Sequence, residues 1–371
     1  MYKINSTLKV NLPNSNYEIL IGEGIFDNLQ ELISTRLKYN RCAIVTNETI
    51  YKIYSNKINL NCDLVILKDG EEYKNFDSYK YILDRLLNIK LERGDLLIAL
   101  GGGVVGDITG FAAATYLRGI RFIQVPTTLL AQVDSSVGGK VAINHETGKN
   151  LIGAFWQPSL VVADTSFLKT LDIRQLNTGL GEVLKYALIE LSCHNPNQNN
   201  YKKSFFDFLM ENKDNIYALK PSTLAELVHR CCELKASVVN LDEKESGLRM
   251  ILNYGHTFAH AIEKCTNYTK FTHGEAVATG IKMALDLSLH LGMIEKNYYE
   301  EAQKLIRFFN IEISLKNSGL NHIELANAIL HDKKVKDNKP RFVLSSGKAQ
   351  CSVVCLDDRE LVEEIFKKYV D

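Results

Sequence analysis

The first 35 or so residues alternate apolar and polar positions, as in YKINSTLKV and NYEILIGEG. Alternation with a period of two marks strands that have one covered face, so this region reads as a hairpin, followed by a first helix over FDNLQELISTRL. The pattern then changes to short, nearly continuous apolar runs: RCAIVTN, CDLVILKDG, GDLLIALGGG and IRFIQVPTT. Between them lie the helical patterns ETIYKIYSNKI, SYKYILDRLLNIKL and the small-residue stretch VVGDITGFAAATYLRG. Strands that alternate with helices in this way predict a parallel, doubly wound α/β sheet.

From about Thr170 the texture is different. Long amphipathic patterns take over in IRQLNTGLGEVLKYALIE, TLAELVHRCCELKASVVNLDE, HTFAHAIEKC, GEAVATGIKMALDLSLHLG and YYEEAQKLIRFF. Strand-like runs return only at RFVLSS and AQCSVVCLDD. The expected architecture is therefore an α/β N-terminal domain over residues 1–170 and a mostly α-helical C-terminal domain over 171–371. The polar segment CHNPNQNNYKK (193–203) reads as an exposed loop.

Composition narrows the function classes. A chain of 371 residues has room for two domains. Lys+Arg and Asp+Glu both number 44, so there is no whole-chain basic footprint for nucleic acid, while a local basic pocket for a small anion stays open. No run reaches the length and apolarity of a membrane span, and the N-terminus lacks the pattern of a secretory signal. The eight cysteines, at 42, 62, 193, 231, 232, 265, 351 and 355, form no C-x-x-C pair. That excludes a cysteine-rich zinc site and fits reduced thiols in a cytoplasmic protein.

Several stretches carry candidate chemistry. In LLIALGGGVVGD, Gly101, Gly103 and Gly106 fit G-x-G-x-x-G between a strand and a helix. Glycines there let a backbone approach a phosphate at a helix N-terminus. The acid expected after the following strand in a dinucleotide fingerprint is missing from VPTTLL, so the site is expected off the usual topology. LKDGEEYKN places Asp69, Gly70, Glu71 and Lys74 after another strand. QVDSSVGGKVAINHETGKN (132–150) crowds donors, two lysines and glycines between apolar flanks. NYGHTFAHAIE puts His256 and His260 on one helical face, FTHGEAVA opens a helix at His273, and GLGEVLKYA sets Glu182 and Lys185 a turn apart. Two histidines and a carboxylate can hold Zn²⁺ with a position left for substrate. Spacing leaves open whether His260 or His273 joins His256. Lys235, Arg249, Lys339 and Arg341 complete the cations, and Lys235 in CCELKASVV reads as buried and in need of an anion.

DGEEYK, GGGVVGDITGF, PTTLLAQVDSSVGGKVAINHETGKNLIGAF, GEVLKY, LRMILNYGHTFAHAIE, HGEAVATG and KPRFVL together resemble, in order, the 3-dehydroquinate synthases. The resemblance covers about residues 17 to 365. It implies an NAD- and zinc-dependent cyclase, with Co²⁺ able to replace Zn²⁺. Such an enzyme converts the seven-carbon keto-acid phosphate DAHP into 3-dehydroquinate and phosphate by transient oxidation, phosphate elimination, reduction and aldol closure. It further implies that Asp69, Gly70, Glu71, Glu72, Tyr73, Lys74, Gly103, Val104, Val105, Gly106, Asp107, Thr127, Thr128, Phe167, Leu168, Lys169 and Thr170 line NAD. Glu182, His256 and His273 would bind the metal. Lys140, Lys149, Asn150, Lys185, Lys235, Arg249, Asn253, His260 and Lys339 would hold the substrate, with Asp134 near its hydroxyls and Lys140 and Lys149 also touching NAD. Arg118 would reach the phosphate site of a partner subunit in a homodimer. Gly181 stands where the family pattern has Ala, and glycine in a helix costs ~1 kcal/mol, which predicts a looser helix. The rivals are a 2-deoxy-scyllo-inosose synthase, a metal-dependent polyol dehydrogenase, and an inert NAD-binding protein.

Overall fold

The computed structural model describes residues 3–13, 15–330 and 340–371. The chain divides into two compact units: Met1–Asp172 with Ile216–Ala236, and Ile173–Asn215 with Ser237–Asp371. The stretch Ile216–Ala236 thus lies late in the sequence and belongs to the first unit.

The first unit contains β1 (Lys3–Asn11), β2 (Asn16–Glu23), β3 (Cys42–Asn47), β4 (Asp63–Leu67), β5 (Leu96–Gly101), β6 (Arg121–Pro126), β7 (Lys140–His145), β8 (Gly148–Phe155) and β9 (Leu160–Asp164). Seven of them form one sheet in the order β1-β2-β9-β6-β5-β3-β4. β1 and β2 pair antiparallel, and every other pair is parallel. β3, β5 and β9 are buried at every position because helices cover both faces, which is why they read as continuous apolar runs. Alternate residues sort to opposite sides. Val45, Leu97 and Ala99 pack with Ile82, Leu86 and Ile108 from helices Phe76–Asn88 and Gly103–Thr115. Ile44, Ile98 and Val125 pack with Leu29, Ile33 and Phe167.

β7 and β8 form a separate antiparallel hairpin. The sequence reading assigned no elements here. The alternation is present, with Val141 and Ile143 buried in the core beside Ile108 and Phe111, but the polar outer positions mask it.

The second unit is built on helices Ile173–Ile189, His256–Cys265, His273–His290, Lys296–Phe309, His322–Leu330 and Arg359–Val370, with a hairpin of β10 (Arg341–Gly347) and β11 (Gln350–Cys355). Helix Ile173–Ile189 is buried continuously from Thr178 to Ile189. Helix His273–His290 starts with a capping box between Thr272 and Glu275, and Arg174 grips Glu275 through two hydrogen bonds of 2.8 and 2.9 Å. These two helices meet glycine to glycine. A Cβ at Gly181 would lie 2.4 Å from the Gly274 carbonyl oxygen, and one at Gly274 would lie 1.9 Å from that of Thr178. Gly181 therefore serves a main-chain contact, and the helix it sits in is held tightly. Among the described residues no helix is long and apolar enough to cross a membrane.

Candidate active site

In the first unit, the parallel strands end at a common edge. The chain runs outward from β3 to β4 and then returns to the other side of β3 as β5. The crevice outside the carboxyl ends of β3 and β5 is therefore the switch point where such sheets bind ligands. Asp69 and Gly70 follow β4, Gly103 to Asp107 follow β5, Thr127 and Thr128 follow β6, and Phe167 to Thr170 follow β9. The Asp69 carboxylate accepts hydrogen bonds from Asn47 Nδ2 and Thr49 Oγ1, both 2.7 Å. Gly103 to Asp107 form the first turn of a helix whose N–H groups face this edge. Val105 and Gly106 are buried, and a Cβ on Gly106 would strike the Gln124 side chain at 2.6 Å. Thr127 Oγ1 is buried without a hydrogen-bond partner among the described residues. Val104 is partly buried, as is Tyr73 in the short turn Glu71–Tyr73, while Glu72 is exposed. Phe167 and Leu168 are buried, Lys169 pairs with Glu23, and Thr170 shares a 2.6 Å hydrogen bond with Tyr54. An edge of free amides and hydroxyls with a helix start suits a nucleotide.

Beside it lies a closed charged network. Buried Lys74 donates to Asp107 Oδ2 at 2.6 Å and to Asn150 Oδ1. Burial pushes the Asp107 carboxyl up, against the lowering effect of Lys74. Lys149 stands 4.0 Å from Glu71, and Lys140 opens β7 as an exposed residue. Lys235, predicted to be buried near an anion, has one: its ammonium lies 2.9 Å from the Asp134 carboxylate and donates to the Asp134 carbonyl at 2.8 Å. Arg118 is exposed, with a left-handed backbone, in the turn after helix Gly103–Thr115.

The second unit holds the sharper constellation. Glu182, His256 and His273 each offer one atom, and the three atoms lie within 4.8 Å of one another. Glu182 Oε1 is 3.3 Å from His256 Nε2 and 3.2 Å from His273 Nε2. Second partners orient both rings: His256 Nδ1 bonds to the Tyr254 carbonyl at 3.1 Å, and His273 Nδ1 to the Glu263 carboxylate at 3.2 Å. With Nδ1 engaged as the donor, each imidazole in its neutral form presents the Nε2 lone pair to the centre. Oε1 is accordingly buried without a hydrogen-bond donor among the described residues. Three converging lone pairs call for a cation, and a nitrogen–nitrogen–oxygen set suits Zn²⁺ or a similar divalent ion.

The electrostatics agree. Burial alone would raise the Glu182 carboxyl, but Lys185 and the two histidines hold it well below the usual range. At His256 burial prevails and lowers the pKa. At His273 burial is outweighed by Glu263 and Glu182, and the pKa rises. The point where the three groups meet therefore attracts positive charge. Lys185, fully buried, donates to Glu182 Oε2 and so neutralises the carboxylate from behind.

His260 lies next to this centre, its ring 5.5 Å from that of His256 and 6.4 Å from that of His273. Of the two candidates that spacing left open, it is His273 whose nitrogen converges with His256 and Glu182. Arg249 is buried in the segment after helix Pro221–Leu241; it donates to the Glu243 carbonyl, and its own N–H donates to Asp242 Oδ2 at 3.0 Å. Asn253 Nδ2 donates to Glu245 at 2.8 Å. Lys339 lies outside the described residues. Sequence reasoning missed Glu263 and Asp242. Glu263 stands seven residues after His256, two turns along the same helical face, and that period was available as a signal. Asp242 acts through a loop geometry that has no period.

Residues 64–178 match the family described as 3-dehydroquinate synthase N-terminal, and residues 179–335 match 3-dehydroquinate synthase C-terminal. A 3-dehydroquinate synthase of Alkaliphilus metalliredigens is 40% identical over 364 residues, covering 97% of this chain and 98% of that protein. A 3-dehydroquinate synthase of Nitrosomonas europaea is 45% identical over 345 residues, covering 91% and 90%. Among solved structures, a 2-deoxy-scyllo-inosose synthase complexed with carbaglucose-6-phosphate, NAD⁺ and Co²⁺ superposes with a TM-score of 0.85 at 26% identity, over 98% of this chain and all of that one. A fold of this kind, a cluster able to hold a cation and two family matches in tandem lead to one assignment: the chain belongs to the 3-dehydroquinate synthase family.

Proposed function

We propose that this protein converts DAHP to 3-dehydroquinate and inorganic phosphate with NAD and a divalent cation, zinc being the ion assigned here. The observation that carries the reading is the buried Glu182–His256–His273 convergence, with an orphaned carboxylate oxygen, in a chain similar to named 3-dehydroquinate synthases along nearly its whole length. A cation held by these three residues would supply Lewis acidity toward substrate hydroxyls, and NAD bound at the strand-end edge would accept and return a hydride.

The chain's own residues do the rest. Lys185 offsets the charge of Glu182 and keeps it ionised. Arg249, fixed by the Glu243 carbonyl, is a preset positive charge for a substrate carboxylate or phosphate. His260, whose ring lies 5.5 Å from that of His256, is assigned to pass a proton to a leaving phosphate oxygen. Asn253 and Lys339 are assigned to substrate oxygens. In the first unit, Asp69 to Lys74, Gly103 to Asp107, Thr127, Thr128 and Phe167 to Thr170 are assigned to NAD. Lys140, Lys149, Asn150 and Lys235 are assigned to substrate, with Lys140 and Lys149 shared with NAD and Asp134 near substrate hydroxyls. The work of these groups is positioning and charge stabilisation. A homodimer in which Arg118 reaches the partner's substrate phosphate and a cytoplasmic location complete the reading; no disulfide joins the eight cysteines, in keeping with a reducing compartment.

The deciding experiment follows phosphate release from DAHP by the purified protein with NAD and zinc, and with each omitted after chelation. Stoichiometric phosphate and 3-dehydroquinate without lasting NADH is the expected result. A folded, metal-loaded, NAD-supplied protein that releases no phosphate from DAHP overturns it, and lasting NADH from a polyol points to a dehydrogenase instead.

A further inference from the structure

Asn144 has no role in the assignments above, yet it joins two of the segments they name. The β7–β8 register is regular from Lys140↔Phe155 to Ile143↔Ile152 and then shifts, with His145 opposite Gly148. Asn144 sits at that irregularity, so its N–H leaves the hairpin and donates to the Lys74 carbonyl at 2.7 Å. Its side chain is used at both ends. Nδ2 donates to Glu71 Oε1 at 2.8 Å, and Oδ1 accepts the N–H of Asn150 at 2.9 Å. Asn150 holds a left-handed backbone, with φ of 55°, and its own side-chain oxygen accepts from Lys74, which pairs with Asp107.

We propose that Asn144 is a positioning residue that locks the Glu71–Lys74 turn to the Lys149–Asn150 corner. The inference rests on the reading of those segments as cofactor- and substrate-facing. Only an amide of this length donates to Glu71 and accepts from Asn150 at once. Aspartate keeps the acceptor and puts a second negative charge against Glu71. Serine is too short to reach both. Once the lock is broken, Glu71 and the Lys74 carbonyl shift relative to Asn150, and the Lys74 ammonium loses its Asn150 acceptor and keeps Asp107 alone.

The test is steady-state kinetics of Asn144→Asp, with NAD and DAHP varied separately, beside thermal unfolding. The expected result is a rise of about tenfold in KM for NAD, the size set by loss of a hydrogen bond to a charged group, with kcat at saturating NAD and the unfolding midpoint little changed. Glu71→Gln added to Asn144→Asp restores the contact with its polarity reversed, so the double variant should resemble Glu71→Gln alone. A KM for NAD in Asn144→Asp within about twofold of wild type, or additive losses in the double variant, overturns the inference. If Asn144→Asp does not fold, Asn144→Ser is measured by the same criteria. Wild-type protein that releases no phosphate from DAHP overturns the underlying reading and this inference with it, whereas active wild type with an unaltered Asn144→Asp overturns the inference alone.

Discussion

Each unit buries a charged cluster, and the two clusters are completed differently. In the first unit Lys74, Asp107 and Asn150 satisfy one another, and the network closes within the protein. In the second, Lys185 satisfies one oxygen of Glu182 while the other faces two imidazole nitrogens and has no hydrogen-bond partner among the described residues. Buried polar groups are normally paired. A closed network holds structure in place, whereas one left open by a single lone pair, with its neighbours already oriented, is built for a cation.

The strongest way to break this contrast is His256→Ala. Turnover and bound zinc should fall together, by more than the ~100-fold that loss of an outer partner costs, while far-UV circular dichroism stays that of the folded protein. A zinc-free, fully active variant would remove the centre from the mechanism.

Asp107→Ala tests the closed network. It leaves the buried Lys74 ammonium without its carboxylate, and such losses cost about 3 to 5 kcal/mol. Denaturant unfolding should register that loss, and zinc content per folded molecule should not change. Equal stability in the variant would mean that Lys74 is not held by charge.

Glu263→Gln sharpens the open cluster. The orienting bond to His273 weakens, so zinc affinity should drop by about 10- to 100-fold, with folding intact, in a competition titration against a chelator. Unchanged affinity would show that helix packing alone sets the ring.

The smallest effect concerns the loop that presents Arg249. Asp242 is buried, which opposes its charge, but N–H groups of Arg249, Ser246 and Gly247 outweigh burial and hold it at about 2. The folded pKa lies below the unfolded value of about 3.9. Its contribution is therefore complete above the unfolded pKa and is lost as pH falls toward about 2. Asp242→Asn should cost about 1 to 2 kcal/mol at neutral pH, and the gap to wild type should close in acid. A gap that stays constant between about pH 6 and about pH 2, the two ends of the transition, would mean the carboxylate is not the anchor.

Much of this was legible in the sequence. The strands β3, β5 and β6 announce themselves because burial on both faces leaves few polar positions, whereas β9, buried in the same way, was not assigned. The glycines after β5 stand out because their spacing is the geometry, whereas the i, i+4 spacing of His256 and His260 left open that His273 completes the cluster. The hairpin β7–β8 was hidden, since β7 carries its inward face on Val141 and Ile143 among polar neighbours and β8 adds only the partly buried Ile152 and Ala154. Helix Phe205–Tyr217 was overlooked beside the polar loop, and the membership of Ile216–Ala236 in the first unit depends on contacts far apart in sequence. Asn144 was visible as one polar residue among many; its partners come from a register shift that no period encodes.

The glycine contact between helices Ile173–Ile189 and His273–His290 has a consequence for engineering. Glu182 and His273 are the immediate neighbours of Gly181 and Gly274, so main chain resting on main chain sets the distance between these two proposed ligands. A stop of that kind does not compress or creep when side chains elsewhere are exchanged. Thermostabilising substitutions in the surrounding hydrophobic core can therefore be accumulated without detuning the bite of the donors, provided the two glycines are left alone.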